Sequence, residues 1–260
     1  IKEVKSYLES NNTLIVNAPP GAGKSTLLPL VLIEEPWLQG KKILILEPRR
    51  LAARSIAERM SFLLKETVGE TVGYRIRFDT KVGPKTKIEV LTEGILTRML
   101  HSDNALTEVG LVIFDEFHER SIHADVAMAL CREAQLILRP DLRIMVMSAT
   151  LDMPQLSSLL KAPVAVSTGR QFPVELFYVG DTDERMMSEM AAQTIMMAVK
   201  THPGDVLAFF PGQGEIKKCE EILKTKLKGF EIHPLYGQLP HAAQRAALFP
   251  DKKGRRKIVL

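Results

Sequence analysis

The sequence predicts an α/β fold in which a parallel β-sheet is covered by helices on both faces. Short, continuous apolar runs recur along the chain, and segments with a helical spacing of apolar residues separate most of them. Strands that are apolar on both faces, with helices between them, are typical of a buried parallel sheet. A chain of 260 residues, 45% hydrophobic and 25% charged, is typical of one large globular domain or two moderate ones.

The first part of the chain carries the clearest pattern. Its apolar runs predict strands at 13–17, 42–46, 88–91, 109–114 and 143–147. Helices are predicted at 25–34, 49–64 and 124–138. The second of these helices has an apolar stripe at helical spacing, and Pro140 ends the third.

After Thr150 the sequence pattern changes, and it predicts a connector followed by a second α/β unit. The unit is expected to have strands at 174–179, 205–210, near 229–233 and in "RKIVL", with helices at 183–200 and 214–227. We therefore expect one domain at 1–168 and another at 169–260. Because the chain starts at Ile1 and stops in an apolar run, we expect a piece of a longer protein with a truncated second domain.

The positive charge of the chain is concentrated in one segment. Residues 41–98 hold thirteen Lys and Arg against seven Asp and Glu, a local charge of +6 in a chain whose net charge is +4. The rest of the chain therefore carries a small negative charge. Such a segment predicts a surface for a polyanion, and the alternative is a solvated face with long basic side chains.

Cysteine usage and hydropathy bear on the compartment. Cys131 and Cys219 lie far apart without CxxC spacing, which favours a reducing compartment. No apolar run approaches the roughly 20 residues that span a bilayer, and no signal segment opens the chain. We therefore expect a cytoplasmic protein without a membrane partner.

A glycine-rich turn between the first predicted strand and helix predicts a phosphate-binding loop. In "APPGAGKST", Gly21 and Gly23 let backbone N–H groups turn towards phosphate oxygens. Lys24 supplies a charge to the phosphates and Ser25 a hydroxyl to Mg²⁺. Ala18 stands where the usual P-loop pattern has its first glycine, so a glycine-rich turn without ligand is the alternative. The predicted nucleotide-binding residues are Pro20, Gly21, Ala22, Gly23, Lys24, Ser25 and Thr26.

Two acidic residues follow the apolar strand "VGLVIF". Ligands of open α/β sheets bind at the carboxyl ends of strands, so Asp115 is expected to hold Mg²⁺ and Glu116 to activate water. A zinc site is the alternative, because His118 and His123 follow closely. They lie five positions apart, whereas HExxH zinc sites place their histidines one helical turn apart, so this spacing argues against zinc. Small hydroxyl residues, Ser148 and Thr150, end the next strand near the same rim.

Several stretches in order resemble the superfamily 2 helicases of the DEAH group. They are "APPGAGKST", "EPRRLAARSIAERM", "GYRIRF", "TEGIL", "DEFHERS", "MSATLD", "GRQFPVELFYV" and "FFPGQGEI". The first and fifth together look most like the bacterial HrpB-type helicases, although Phe117 stands where the group's motif has Ala. The resemblance implies tandem RecA-like P-loop NTPase domains, ATP hydrolysis with Mg²⁺, and movement along a single-stranded nucleic acid, with RNA favoured over DNA.

The resemblance also implies roles for matching residues. Those expected to be catalytic are Lys24, Asp115, Glu116 and His118. Those expected to link hydrolysis to strand movement are Ser148 and Thr150. Those expected to contact the nucleic-acid backbone are Arg49, Arg50, Arg77 and Thr92. Arg59 is expected to stack on adenine, the alternative being a surface arginine paired with a nearby Glu.

Three functions stay open at this point. The first is an ATP-dependent helicase or translocase. The second is a P-loop NTPase of another class, and the third is a nucleic-acid-binding scaffold with a vestigial NTPase site. Because the arginine-finger segment of the DEAH group would follow Leu260, we expect this chain alone to bind nucleotide but hydrolyse it weakly.

Overall fold

In a computed structural model the chain divides into two compact units, Ile1–Phe172 and Pro173–Leu260. The structure describes residues 1–19, 21–149, 153–169, 172–180, 183–251 and 253–260. Pro20 and Thr150, both predicted site residues, lie outside these ranges.

The first unit is built on an eight-stranded sheet. Its strands are β1 (Thr13–Asn17), β2 (Lys42–Leu46), β3 (Val72–Ile76), β4 (Asp79–Lys81), β5 (Ile88–Leu91), β6 (Val109–Phe114), β7 (Arg143–Ser148) and β8 (Val164–Val166). Their order across the sheet is β4-β3-β5-β2-β6-β7-β1-β8. All neighbours are parallel except β4, which forms an antiparallel hairpin with β3. The five strands predicted in this region are confirmed.

Helices cover both faces of this sheet, as predicted. They are α1 (Lys2–Ser10), α2 (Leu27–Leu32), α3 (Arg50–Leu64), α4 (Glu93–Ser102), α5 (Ile122–Ile137) and α6 (Met153–Leu160). Side chains alternate along each strand, so Ile43 and Ile45 pack with α1, α2 and α3, whereas Leu44 and Leu46 pack with α4, α5 and α6. The two apolar clusters fix the sheet from both sides and leave its ends free for loops.

The pairing of the central strands brings four loops to one edge of the sheet. Asn17 lies beside Ser148, and Leu46 lies beside Phe114. The segments that follow β1, β2, β6 and β7 therefore emerge together at the carboxyl ends of the strands. The glycine-rich turn, the "EPRR" stretch and the acidic stretch all belong to this edge.

The second unit packs helices on a small parallel sheet. Its helices are α7 (Met187–Thr201), α8 (Gln213–Lys226) and α9 (His241–Leu248), and its strands are β9 (Val206–Leu207), β10 (Glu231–His233) and β11 (Lys257–Val259). The strand order is β10-β11-β9. Ile195, Cys219, Leu223 and Ile258 are central to its core. The predicted helices and the final strand are confirmed.

The strand predicted at 174–179 is wrong. Residues 172–180 belong to no strand, and their apolar side chains are exposed. A strand needs a neighbour to satisfy its backbone N–H and C=O groups, and none of the strands described for this unit pairs with the segment. Apolar alternation alone misled the prediction. The strand expected at 205–210 also shortens to β9.

Candidate nucleotide and nucleic-acid site

The glycine-rich turn uses two residues in the left-handed backbone region. Gly21 and Gly23 have φ angles of +79° and +78°, which residues with a Cβ rarely adopt. A Cβ added at Gly23 would lie 2.9 Å from Leu27 Cδ1. The carbonyl of Gly23 accepts hydrogen bonds from the N–H groups of Thr26, Leu27 and Leu28. Because these bonds close a turn first, α2 begins at Leu27, later than the sequence predicted.

Lys24 lies inside this turn and faces the acidic stretch. Its side chain is 5% exposed, and Nζ lies 2.9 Å from Oε1 of Glu116. A buried ammonium is costly without a partner of opposite charge. In this arrangement the Glu116 carboxylate supplies the negative charge that a phosphate would supply in a nucleotide complex.

Asp115 is a buried carboxylate at the end of β6. It is 4% exposed, and Oδ1 accepts the backbone N–H of Glu116 at 2.9 Å. Among the described residues, the other oxygen, Oδ2, has no hydrogen-bond partner of good geometry. Burial raises the pKa of Asp115 and the Glu116 charge adds to the rise, whereas the Ser25 hydroxyl and Lys24 oppose it. A buried carboxylate oxygen without a donor, beside a serine hydroxyl, suits a cation.

Glu47 is a site residue that the sequence prediction missed. It follows β2, is 3% exposed, and accepts the backbone N–H of Arg49 at 3.2 Å. Burial raises the pKa of Glu47 to about 8, with the charges of Asp115, Glu116 and Glu119 adding to the rise and the Arg49 N–H opposing it. The same signal that selected Asp115, an acid directly after an apolar strand, was present in "KILILE".

A single 3-10 turn, Phe117–Glu119, follows the acidic pair. The residues on either side of it, Glu116 and Arg120, have φ angles of +47° and +46°, which are strained for side chains with a Cβ. His118 Nδ1 lies 3.4 Å from Glu116 Oε2. The backbone therefore aims Glu116 and His118 at the same place.

The two histidines of this stretch lie in different elements. His118 lies in the 3-10 turn, whereas His123 lies in α5, which starts after Ser121 accepts the N–H of Ala124 at 3.0 Å. Within the described ranges, no group of three or more His, Cys, Asp or Glu residues is arranged to hold a metal. A single carboxylate with a hydroxyl still suits Mg²⁺, because substrate phosphates and water supply its other ligands.

The two predicted backbone-binding arginines after β2 already have protein partners. Arg49 Nη2 lies 2.8 Å from Glu119 Oε1, and its side chain is 70% exposed. Arg50 donates from Nη2 to the carbonyl of Arg77 at 3.0 Å. Arg49 therefore connects the "EPRR" stretch to the acidic stretch, and Arg50 connects it to the β3–β4 hairpin.

The tip of this hairpin borders an open groove of about 900 Å³. The tip holds Phe78, which is 87% exposed, with the Arg77 guanidinium 4.7 Å from its ring centroid. Thr92 is the N-cap residue of α4 and makes no side-chain hydrogen bond to the helix. The residues that line the groove include three predicted contacts, Arg50, Arg77 and Thr92. The lining also includes Arg98, His123 and two acids, Asp79 and Glu93.

The remaining predicted residues are more scattered. Ser148 is fully buried at the end of β7, where its carbonyl accepts the Ala18 N–H at 3.2 Å. Arg59 lies on the exposed side of α3, with its guanidinium 5.5 Å from the centroid of Phe62. Across the described residues it forms no ion pair with a carboxylate. Its predicted adenine contact stays a prediction.

The sequence of this chain is similar to those of known helicases. The sequence model of the DEAD/DEAH box helicases matches residues 2–159. The ATP-dependent RNA helicase HrpB of Escherichia coli is 46% identical over all of this chain, which covers 32% of HrpB. The ATP-dependent RNA helicase HrpA of Borreliella burgdorferi is 35% identical over 99% of the chain, which covers 32% of HrpA.

The fold of this chain is also similar to a solved helicase structure. The crystal structure of the Escherichia coli DEAH/RHA helicase HrpB matches all of the chain with a TM-score of 0.91 and 46% identity, over 33% of that structure. The chain thus spans about a third of the length of the curated relatives it matches. The predicted RecA-like α/β fold class and the resemblance to the DEAH group are confirmed.

Proposed function

Because the chain belongs to the DEAD/DEAH box helicase family, we propose that it carries the ATP-binding part of a helicase or translocase that acts on single-stranded RNA. Family membership argues against a P-loop NTPase of another class. The observation that carries the proposal is the Lys24–Glu116 ion pair at 2.9 Å in a glycine-rich turn. The Lys24 ammonium is buried, whereas the Glu116 side chain is 28% exposed, so a phosphate that reaches the turn can replace this carboxylate.

Each residue at the nucleotide edge has a proposed task. The N–H groups of residues 23–25 and the Lys24 ammonium bind the phosphates of ATP, whereas the N–H groups of Ala22 and Thr26 are already bonded to backbone carbonyls of the turn. Once the nucleotide takes Lys24, Glu116 is released and accepts a proton from the attacking water. His118 lies beside Glu116, and Ser148 lies at the end of β7. These two residues couple ATP hydrolysis to movement along the nucleic-acid strand. Thr150 is assigned the same task from its sequence position alone.

Mg²⁺ fits the donor set at this edge. Asp115 Oδ2 and the Ser25 hydroxyl would hold it, directly or through water. When bound, Mg²⁺ neutralises negative charge on the phosphates. The protein residues keep the carboxylate buried and oriented, since the Glu116 N–H fixes Oδ1.

Nucleic acid is proposed to bind along the groove beside the β3–β4 hairpin. Arg49, Arg50, Arg77 and Thr92 would contact backbone phosphates, and this agrees with the +6 charge of segment 41–98. Contacts of this kind do not depend on sequence. RNA is proposed over DNA because the relatives above are named RNA helicases.

The nucleotide proposal is tested by titrating the chain with a fluorescent ATP analogue, with and without Mg²⁺. Lys24→Ala is expected to weaken affinity about 100-fold, since a charge-assisted contact to phosphate contributes roughly 3 kcal/mol. Lys2→Ala, on the exposed face of α1, removes the same charge elsewhere and should bind as the wild type. Unchanged affinity of Lys24→Ala would instead support a scaffold with a vestigial site.

The nucleic-acid proposal is tested by competing single-stranded RNA and DNA of one sequence at several salt concentrations. Arg77→Gln is expected to weaken both by a similar factor and to lower the salt slope by about one. Preference for RNA should persist at every salt concentration, because it depends on the 2′-hydroxyl. Equal binding of the two strands would contradict the choice of RNA.

We also propose a reducing, cytoplasmic setting. Cys131 and Cys219 are free and buried, and burial raises the pKa of their thiols to about 12 and about 11. Buried, protonated thiols of this kind are poorly reactive, which suits a reducing compartment. No helix in the described part of the chain is long and apolar enough to cross a membrane.

A further inference from the structure

Two carboxylates around the 3-10 turn are paired with cations that the proposed function assigns to phosphates. Glu116 lies 2.9 Å from Lys24, and Glu119 lies 2.8 Å from Arg49. We propose that Glu119 is a positioning residue that holds Arg49 in the free protein and gives it up to a nucleic-acid phosphate. Residues 116–119, called the acidic turn below, would then couple RNA binding to ATP binding. This inference rests on the proposed function.

The exchange at Arg49 is energetically accessible. Its side chain is 70% exposed and that of Glu119 is 31% exposed, so water screens the pair. Exposed ion pairs of this kind are weak. A nucleic acid brings a row of phosphates and releases counterions when it binds, which a single carboxylate cannot match. RNA therefore displaces Glu119 from Arg49 at a modest cost.

The exchange at Lys24 is the counterpart on the nucleotide side. Lys24 is buried, so Glu116 leaves it only when phosphate supplies a replacement charge. Both exchanges thus follow one rule, in which a phosphate replaces a glutamate on a cation. ATP displaces Glu116 from Lys24, and RNA displaces Glu119 from Arg49.

The acidic turn is short enough to link the two exchanges. The Glu119 N–H donates to the Glu116 carbonyl at 2.9 Å, so the two residues are bonded to each other. Left-handed φ angles at Glu116 and Arg120 bound the turn on both sides. A strained turn held by two ion pairs relaxes when either is broken. Each ligand therefore makes the other's exchange easier, and the coupling is reciprocal.

The experiment measures binding of a labelled single-stranded RNA to the whole 260-residue chain, with and without a saturating ATP analogue and Mg²⁺. In Glu119→Gln, RNA affinity without nucleotide should rise up to about five-fold, the upper limit for an exposed ion pair. The ratio of affinities with and without nucleotide should fall towards one. Asp125→Asn is the matched control, because it removes an equal charge nearby, from an ion pair with Arg120 at 3.0 Å.

Arg49→Gln separates this inference from the proposed function. If RNA contacts Arg49, this variant binds RNA more weakly, and adding Glu119→Gln to it has no further effect. If Arg49→Gln binds RNA as the wild type does, or if no RNA binds, the proposed contact fails and the coupling with it. If Arg49→Gln weakens binding but Glu119→Gln behaves like Asp125→Asn, the coupling is overturned and the proposed function stands.

Discussion

Two buried glutamates in the same sheet have opposite surroundings. Glu89, on β5, is 1% exposed and lies between Lys42 Nζ at 2.9 Å and Arg75 Nε at 2.5 Å. Glu47, at the end of β2, is 3% exposed and has three carboxylates as its charged neighbours. Two glutamates at the same sheet are thus buried in opposite surroundings, Glu89 among cations and Glu47 among anions.

The pKa values of the two carboxyls separate accordingly. Burial alone would raise the pKa of Glu89, but the hydrogen bonds and charges of Arg75 and Lys42 outweigh it and the pKa is lowered. Burial raises the pKa of Glu47 to about 8, and Asp115 adds to the rise. A satisfied buried charge belongs to the framework, whereas a crowded one is typical of a functional site, and Glu47 lies at the edge that holds the candidate site.

The largest expected effect is on the framework side. Glu89→Ala leaves Lys42 and Arg75 without their shared partner and should lower the free energy of unfolding by about 3 kcal/mol. The loss is at the low end for buried pairs, because the two cations keep 34% and 36% of their side chains exposed. Urea unfolding followed by fluorescence of Trp37, the only tryptophan, measures it. Glu9→Ala, exposed on α1, is the control and should change stability little.

The next expected effect is a gain in the free energy of unfolding, and it depends on pH. The folded pKa of Glu47, about 8, exceeds the ordinary glutamate value of 4.5, so its contribution to stability is full below pH 4.5 and is lost as pH rises to 8. Glu47→Gln does not titrate there. It should be closest to the wild type near pH 5 and more stable by a margin that grows to a few kcal/mol near pH 8. A constant difference across this range would contradict the raised pKa.

The smallest expected effect tests whether the acidic edge serves a ligand. Asp115→Asn removes a buried charge and should stabilise the nucleotide-free chain by about 1 kcal/mol. The same change should abolish the gain in ATP-analogue affinity that Mg²⁺ provides. Thermal unfolding with and without nucleotide and Mg²⁺ measures both. A variant that is less stable without ligand would mean that Asp115 is a framework residue like Glu89.

Most of the first unit was predictable because its strands are continuous apolar runs. The β3–β4 hairpin was not predicted, since "VGYRI" mixes a glycine and an arginine into a buried strand and its turn uses Phe78 with a φ of +68°. Strand 174–179 was predicted wrongly because pairing, which the sequence does not display, decides whether an apolar alternation becomes a strand.

In the candidate site, too, some residues were predictable from the sequence and others were not. Lys24, Asp115 and Glu116 were predictable from their position after strands, and the structure brings them together. Glu119 was not, since its partner Arg49 is far away in sequence and only the neighbouring positions of β2 and β6 bring them into contact. Residues that act through a long-range ion pair leave no local pattern.

The position of β1 in the sheet has a consequence for the order of events during synthesis. Thr13 pairs with Ile144, and Ile15 pairs with Val164, so the strand before the glycine-rich turn has no neighbour until more than half of this chain has been translated. At usual ribosome speeds the wait is on the order of ten seconds. β2, β5 and β6, which lie between them in sequence, can pair earlier. The candidate nucleotide edge is therefore completed after these central strands have paired, and a ligand that binds there would stabilise only a first unit that is already nearly folded.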